Sequence, residues 1–189
     1  LTTWPDVANA INTAAAQLSA GDIILIELHN PTSSLPPGER CDGNCGNCTQ
    51  FGYIAMEYWQ ANFDAIQNAT ANGIIVVEAA GNGAMNFDNP FYGGAFDRNQ
   101  RDSGAIIVGA GLSGAGTNTP ARKPECWSNY GSAVDVQGWG DNIWTLGYGT
   151  GWNEGFLVGG DSSDQDQWYT SGFGGTSSSA ETPWFPSSL

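Results

Sequence analysis

The chain has 189 residues, of which 40% are hydrophobic, and 19 acidic against five basic residues give a formal net charge of −14 at pH 7. This length allows one domain with a substantial core, and no apolar run approaches the length of a membrane-spanning helix. The acidic balance argues against nucleic acid and membranes as partners, because phosphate binding requires clustered Lys and Arg.

The first elements predicted along the chain are a helix and a strand. Thr2 or Thr3 is placed to cap a helix with Pro5 in its first turn, and Gly21 ends it. The residues expected on its buried face are Val7, Ile11, Ala14, Ala15 and Leu18. The apolar run from Ile23 to Leu28 is typical of a strand buried on both faces.

A second helix and two further strands follow. The helix is predicted from Tyr53 to Asn72, and Gly73 stops it. The strands are predicted at Ile74–Ala79 and Ala105–Ala110, while Gly138–Gly175 contains no clear helix and predicts loops and short hairpins. Because helices and strands alternate, we expect an α/β fold with a parallel central sheet and flanking helices, forming a single domain over residues 1–189.

Four cysteines allow three disulfide connectivities. Cys41, Cys45 and Cys48 lie in one Gly- and Asn-rich loop, and Cys126 is far along the chain. A zinc site with four sulfur ligands is one interpretation. We favour two disulfides, one within the loop and one reaching Cys126, and with them a secreted protein, since disulfides persist outside the cell.

Two short motifs carry the chemistry. In Gly174-Gly175-Thr176-Ser177-Ser178-Ser179-Ala180, a tight turn of small residues exposes the Ser177 hydroxyl as a candidate nucleophile. In Ala79-Ala80-Gly81-Asn82-Gly83, Asn82 follows an apolar strand, where its amide can donate to an oxyanion. Ser-rich and Gly-rich loops are common, so neither motif is specific alone, and their order in the chain matters more.

Together these motifs resemble the second half of the catalytic domain of subtilisin-like serine peptidases. The likeness runs from about Gly21 to Ser178. Its further segments are Ile74-Ile75-Val76-Val77-Glu78-Ala79-Ala80-Gly81-Asn82, Ser103-Gly104-Ala105-Ile106-Ile107-Val108-Gly109-Ala110, Ser128-Asn129-Tyr130-Gly131-Ser132 and Val134-Asp135-Val136. The resemblance implies a subtilisin-like fold and a serine endopeptidase that acts on polypeptides.

The resemblance also implies roles for single residues. Asn82 and the Ser177 backbone N–H would bind the oxyanion, while Ala79, Ala80 and Gly81 would floor the pocket for the side chain before the scissile bond. Leu28 would lie in the strand edge that borders the substrate cleft. The chemistry requires no cofactor. Many members of the family bind structural calcium, for which the acidic run from Asp161 to Asp166 offers oxygens, although a solvated turn fits that run better.

The family's Asp–Thr/Ser–Gly and His–Gly–Thr motifs are absent. The single histidine, His29, lacks the following glycine, so we expect it to border the cleft rather than act as the base. After Ser177 the family continues into a long buried helix, whereas Ser179-Ala180-Glu181-Thr182-Pro183 departs from its pattern. We therefore expect a domain that is incomplete at both ends, weakly active or inactive alone, with a missing N-terminal segment as a partner.

Two other functions remain open from the sequence. Eight tryptophans could line a groove, which would suit a non-catalytic carbohydrate- or protein-binding module on a decayed peptidase scaffold. A repurposed hydrolase acting on an ester or glycoside would use paired carboxylates. The pairs Glu27/Asp135 and Glu78/Asp102 are conceivable for that chemistry, but nothing in the sequence fixes their separation.

Overall fold

The computed structural model describes residues 6–43, 45, 48–114, 120–146, 164 and 169–181. The helices in this part of the chain are α1 (Val7–Ala15), α2 (Gln60–Ala71) and α3 (Thr176–Glu181). The strands are β1 (Ile23–Ile26), β2 (His29–Pro31), β3 (Tyr53–Ala55), β4 (Ile75–Ala79), β5 (Ile106–Gly111), β6 (Val136–Trp139), β7 (Ile143–Leu146) and β8 (Tyr169–Phe173).

A four-stranded parallel sheet in the order β1-β4-β5-β6 forms the centre of the fold. Two antiparallel pairs, β2 with β3 and β7 with β8, lie outside this sheet. The predicted α/β class with a parallel central sheet is therefore confirmed. Within Gly138–Gly175, β7 and β8 form an antiparallel pair, and residues 147–168 between them lie outside the described residues apart from residue 164.

The two faces of the sheet are covered differently. Ile24, Ile26 and Val76 pack in one apolar cluster with residues of α1 and α2. Ala79 and Val108 are buried with Ala180 of α3 in another cluster. Since neighbouring residues of a strand point to opposite faces, α1 and α2 cover one face and the short α3 covers part of the other.

The edge strand β1 differs from its prediction. It ends at Ile26 rather than Leu28, and Ile23 and Leu25 are 62% and 41% exposed. The expectation of a strand buried on both faces is wrong, because the described part of α3, Thr176–Glu181, packs mainly on β5 and β6.

The predicted second helix is wrong over its first seven residues. Tyr53–Ala55 forms β3, because it pairs antiparallel with His29–Pro31, and Met56–Tyr58 forms a 3₁₀ turn before α2 begins at Gln60. At the first helix, Asp6 is the N-cap and its carboxylate accepts from the Asn9 N–H. The prediction that Thr2 or Thr3 caps this helix and that Gly21 ends it is wrong, since α1 begins at Val7 and ends at Ala15. Pro5 lies outside the described residues, as does the acidic run 161–166 apart from residue 164.

The cysteines form the disulfides Cys41–Cys48 and Cys45–Cys126. This confirms one bridge within the loop and one reaching Cys126, and it rules out the zinc alternative, because all four sulfurs are bonded to one another. None of the helices in the described ranges is long and apolar enough to cross a membrane.

A buried carboxyl pair lies against the sheet. Glu78 of β4 is fully buried, and its Oε1 accepts from the Glu57 N–H at 2.9 Å. Its Oε2 has no hydrogen-bond partner within the described residues. Burial raises the pKa of both carboxyls, that of Glu78 well above its ordinary value of 4.5. Asp102, conceivable as the partner of Glu78, instead forms an ion pair with Arg98.

We expect the Glu78→Gln variant to be more stable than the wild type at pH 8 and similar to it near pH 4. A carboxyl whose folded-state pKa is raised stabilises the fold below its ordinary pKa, and this contribution is lost as the pH rises through the folded value. Thermal melts from pH 4 to pH 8 measure the difference, with about 2–4 °C in Tm for each kcal/mol in a domain of this size. The exposed Glu39→Gln is the control, and a pH-independent gain for Glu78→Gln would contradict the explanation.

Candidate active site

The candidate site lies where β4 ends, in the segment Ala79–Asn82. Ala79 and Ala80 are fully buried. Gly81 adopts a left-handed conformation (φ +93°), and a Cβ there would lie 2.8 Å from the Asn129 Nδ2 atom and 2.9 Å from the Tyr53 carbonyl oxygen. Only glycine fits this position, because a side chain would be both strained and in collision with its neighbours.

Thr176, the first residue of α3, connects this segment to the nucleophile motif. Its buried hydroxyl accepts from the Gly81 N–H at 2.9 Å and donates to the Asn82 Oδ1 at 2.9 Å. The Thr176 N–H donates to the same Oδ1 at 2.9 Å. The structure therefore brings together two motifs that are 94 residues apart in the chain.

Asn82 is held on both sides of its amide. The two bonds from Thr176 fix the carbonyl oxygen, and the amide nitrogen Nδ2 donates to Gln50 Oε1 at 3.0 Å. The Asn82 backbone N–H donates to His29 Nδ1 at 3.1 Å. The residue as a whole is half-buried.

Ser177 follows Thr176 in the first turn of α3 and is half-buried. Its Oγ donates to the main-chain carbonyl oxygen of Glu27 at 2.8 Å, just past the end of β1. The Ser177 N–H lies in the first turn of a helix, where amides have no acceptor within the helix. The hydroxyl and this N–H therefore lie close to the Asn82 amide, at the carboxyl end of the parallel sheet.

Two carboxyls meet beside this serine. The pKa of Glu27 is raised to about 7, first by burial and then by a hydrogen bond and charge repulsion from Glu181 at the end of α3. A substantial fraction of the Glu27 carboxyl is therefore protonated near neutral pH. The conceivable Glu27/Asp135 pair is not formed, because Asp135 accepts from Arg98 and from the Ile107 N–H.

His29 lies in β2 with its ring against Tyr53, at 4.9 Å between ring centroids. Burial lowers the pKa of His29 to about 4, so the imidazole is neutral at pH 7. Its Nδ1 accepts from the Asn82 N–H, which leaves that nitrogen unavailable as a base. The structure places His29 in support of Asn82 and in no hydrogen bond to Ser177.

Leu28 is 48% exposed and lies between Glu27 and His29. It lines a pocket of about 290 Å³ together with residues from α1, β2 and the start of α2. The other side chains lining this pocket include Val7, Met56 and Trp59. A mainly apolar pocket therefore adjoins the segment that carries Leu28 and His29.

Asn129 holds the backbone around Ala80 and Gly81 by side-chain hydrogen bonds. Its buried side chain donates to the carbonyl oxygens of Tyr53 (2.7 Å) and Ala80 (2.6 Å) and accepts from the Met85 N–H (2.8 Å). Three segments that are distant in sequence are thus joined by one amide.

Sequence reasoning missed Thr176, Gln50, Glu181 and Asn129 as members of the site. Thr176 stood inside the quoted motif, and its position before the candidate nucleophile was a usable signal. No sequence pattern links the other three to Asn82 or Ser177, because their contacts depend on the tertiary fold.

Comparison of the sequence with models of protein families and with curated proteins finds no match. The likeness to subtilisin-like peptidases therefore rests on the sequence motifs alone.

We expect Thr176→Val to destabilise the protein by about 1–3 kcal/mol, because it leaves the buried Gly81 N–H without an acceptor. Thr176→Ser keeps the hydroxyl, so its free energy of unfolding should fall by less than that of Thr176→Val. Urea denaturation of the two variants measures the difference. Equal stability of the Val and Ser variants would show that the hydroxyl contacts do not hold α3 against the end of β4.

Proposed function

We propose that the chain carries the nucleophile and oxyanion-binding part of a subtilisin-like serine endopeptidase acting on polypeptides. The observation that supports this most is the contact between the two motifs: Thr176 binds Asn82, and Ser177 follows it. In this proposal Ser177 is the nucleophile, and Asn82 and the Ser177 N–H bind the oxyanion. The floor of the pocket for the side chain before the scissile bond is formed by Ala79, Ala80 and Gly81. Leu28 borders the substrate cleft.

The reaction would follow the usual course of acyl transfer. Ser177 Oγ attacks the carbonyl carbon of the peptide, a base takes its proton, and the carbonyl oxygen becomes an oxyanion. The leaving amine then takes the proton back from the base, and water hydrolyses the acyl-enzyme. No cofactor takes part in these steps, and a calcium ion would serve structure only.

In this proposal the base is an imidazole from outside the described residues. Here Ser177 donates to the Glu27 main-chain oxygen, which is too weak a base to activate a hydroxyl. The single histidine is neutral and holds the Asn82 N–H. The proposal therefore includes a partner, a polypeptide segment carrying the Asp and His motifs, that brings an imidazole to Ser177. Secretion fits the two disulfides.

Labelling with a fluorophosphonate probe tests the nucleophile. We expect the probe to modify Ser177 slowly in the chain alone and faster in the presence of a polypeptide that carries the Asp and His motifs, as read by peptide mapping. Ser177→Ala should abolish labelling. The control is the buried Ser179→Ala, which should retain it. No labelling of the wild type under either condition would refute the proposal.

A second function is favoured by one surface. Trp144 and Leu146 of β7 are 63% and 68% exposed, and Tyr169 of β8 lies opposite Leu146 and is also exposed. Exposed aromatic groups on a short sheet are suited to stacking on a sugar or packing against a peptide. The alternative is thus a non-catalytic carbohydrate- or protein-binding module.

Tryptophan fluorescence separates this alternative from the peptidase. A binding module predicts saturable changes on titration with soluble polysaccharides or peptides. These changes should be lost in Trp144→Ala and unchanged in Ser177→Ala. The opposite pattern, with peptide binding sensitive to Ser177 and indifferent to Trp144, would favour the peptidase.

A further inference from the structure

Gln50 contacts the candidate oxyanion donor from the side opposite α3. It is the last residue of a 3₁₀ turn, Cys48–Gln50, and its Oε1 accepts from Asn82 Nδ2 at 3.0 Å. The two residues are 32 positions apart, so this contact is tertiary.

The hydrogen bonds of the Asn82 amide leave one position open. An Asn side chain has two acceptor positions on its oxygen and two N–H groups on its nitrogen. Thr176 fills both acceptor positions, and Gln50 takes one N–H. Among the contacts within the described ranges, the second N–H has no acceptor, and it is the group that an oxyanion would use.

The segment that carries Gln50 is anchored at both ends. Cys48 is bonded to Cys41 two residues before Gln50. Two residues after it, the Gly52 N–H donates to the carbonyl oxygen of Gly83, the neighbour of Asn82. A Cβ on Gly83 would lie 2.3 Å from the Tyr53 carbonyl oxygen, so these two chain segments are in close contact. Gln50 is thus held beside Asn82 by the backbone on either side of it.

We infer that Gln50 is a positioning residue that fixes the plane of the Asn82 amide and leaves its second N–H to receive the oxyanion; this rests on the proposed function. The terminal torsion of an Asn side chain is broad, so an amide held only at its oxygen can rock about that bond. A second bond at Nδ2 restricts this motion. Oxyanion donors stabilise a transition state best when they are already oriented, since no reorganisation is then needed.

A spectroscopic test does not depend on activity. In protein labelled with ¹⁵N-asparagine, the side-chain signals of Asn82 are identified by their loss in Asn82→Ser. Gln50→Met removes the acceptor at similar length and should shift one Asn82 Hδ2 proton upfield and speed its exchange with water. Gln50→Glu keeps an acceptor and should shift the same proton downfield, because a carboxylate makes a stronger hydrogen bond. Unchanged Asn82 signals in Gln50→Met would overturn the inference.

The second readout is the rate of fluorophosphonate labelling at Ser177, measured with the added Asp- and His-motif polypeptide. Gln50→Met should label more slowly, by less than the roughly 10²–10³-fold expected for complete loss of an oxyanion donor. The matched control is Gln60→Met, whose exposed side chain binds only Asp64 and which should label like the wild type.

The two readouts separate the inference from the proposed function. Faster labelling of Gln50→Met would mean that Gln50 blocks the amide, which overturns the positioning role. Expected NMR shifts with no labelling of the wild type would refute the peptidase proposal, while the fixing of the Asn82 amide by Gln50 would stand.

Discussion

The Thr176 hydroxyl is the contact on which the arrangement of the candidate site depends. It accepts from the Gly81 N–H and donates to Asn82 Oδ1, and the Thr176 N–H binds the same oxygen. These bonds join segments 94 and 95 residues apart; the bond from Gly81 is buried, and the two to Asn82 are partly buried. The start of α3, and with it Ser177, is placed at the end of β4 by three hydrogen bonds rather than by sheet pairing.

Buried polar side chains next to the site also pair backbone groups, as the Thr176 hydroxyl does for the Gly81 N–H. The amide of Asn129 satisfies two carbonyl oxygens and one N–H from two segments, Tyr53 and the loop from Ala80 to Met85. This arrangement requires glycine at position 81, since a side chain there would collide with the Asn129 amide. A loop leaving a parallel sheet carries backbone groups that the ladder no longer pairs, and these side chains pair them.

The sequence predicted the features that local patterns determine. Apolar runs bounded by glycine predicted the strands β4 and β5. The same pattern predicted that Asn82 lies just past the end of β4. Tyr53–Ala55 could not be predicted as a strand, because its pairing partner His29–Pro31 lies more than twenty residues upstream. The exposure of Ile23 and Leu25 depends on how little of the sheet α3 covers, which strand composition does not encode. The contacts of Gln50 and Glu181 are likewise tertiary.

The two halves of the proposed catalytic machinery differ in how completely the described chain supplies them. For oxyanion binding, the Asn82 amide is held by Thr176 and Gln50, and among the described contacts its second N–H has no acceptor. On the base side, the Ser177 hydroxyl rests on a main-chain oxygen, and His29 is used to hold the Asn82 backbone. A surface used only for binding does not require an amide oriented by three hydrogen bonds next to a serine at a helix start. The ordered amide therefore fits the proposed serine hydrolase better than the alternative binding module, and in that proposal a second polypeptide segment removes the proton from Ser177.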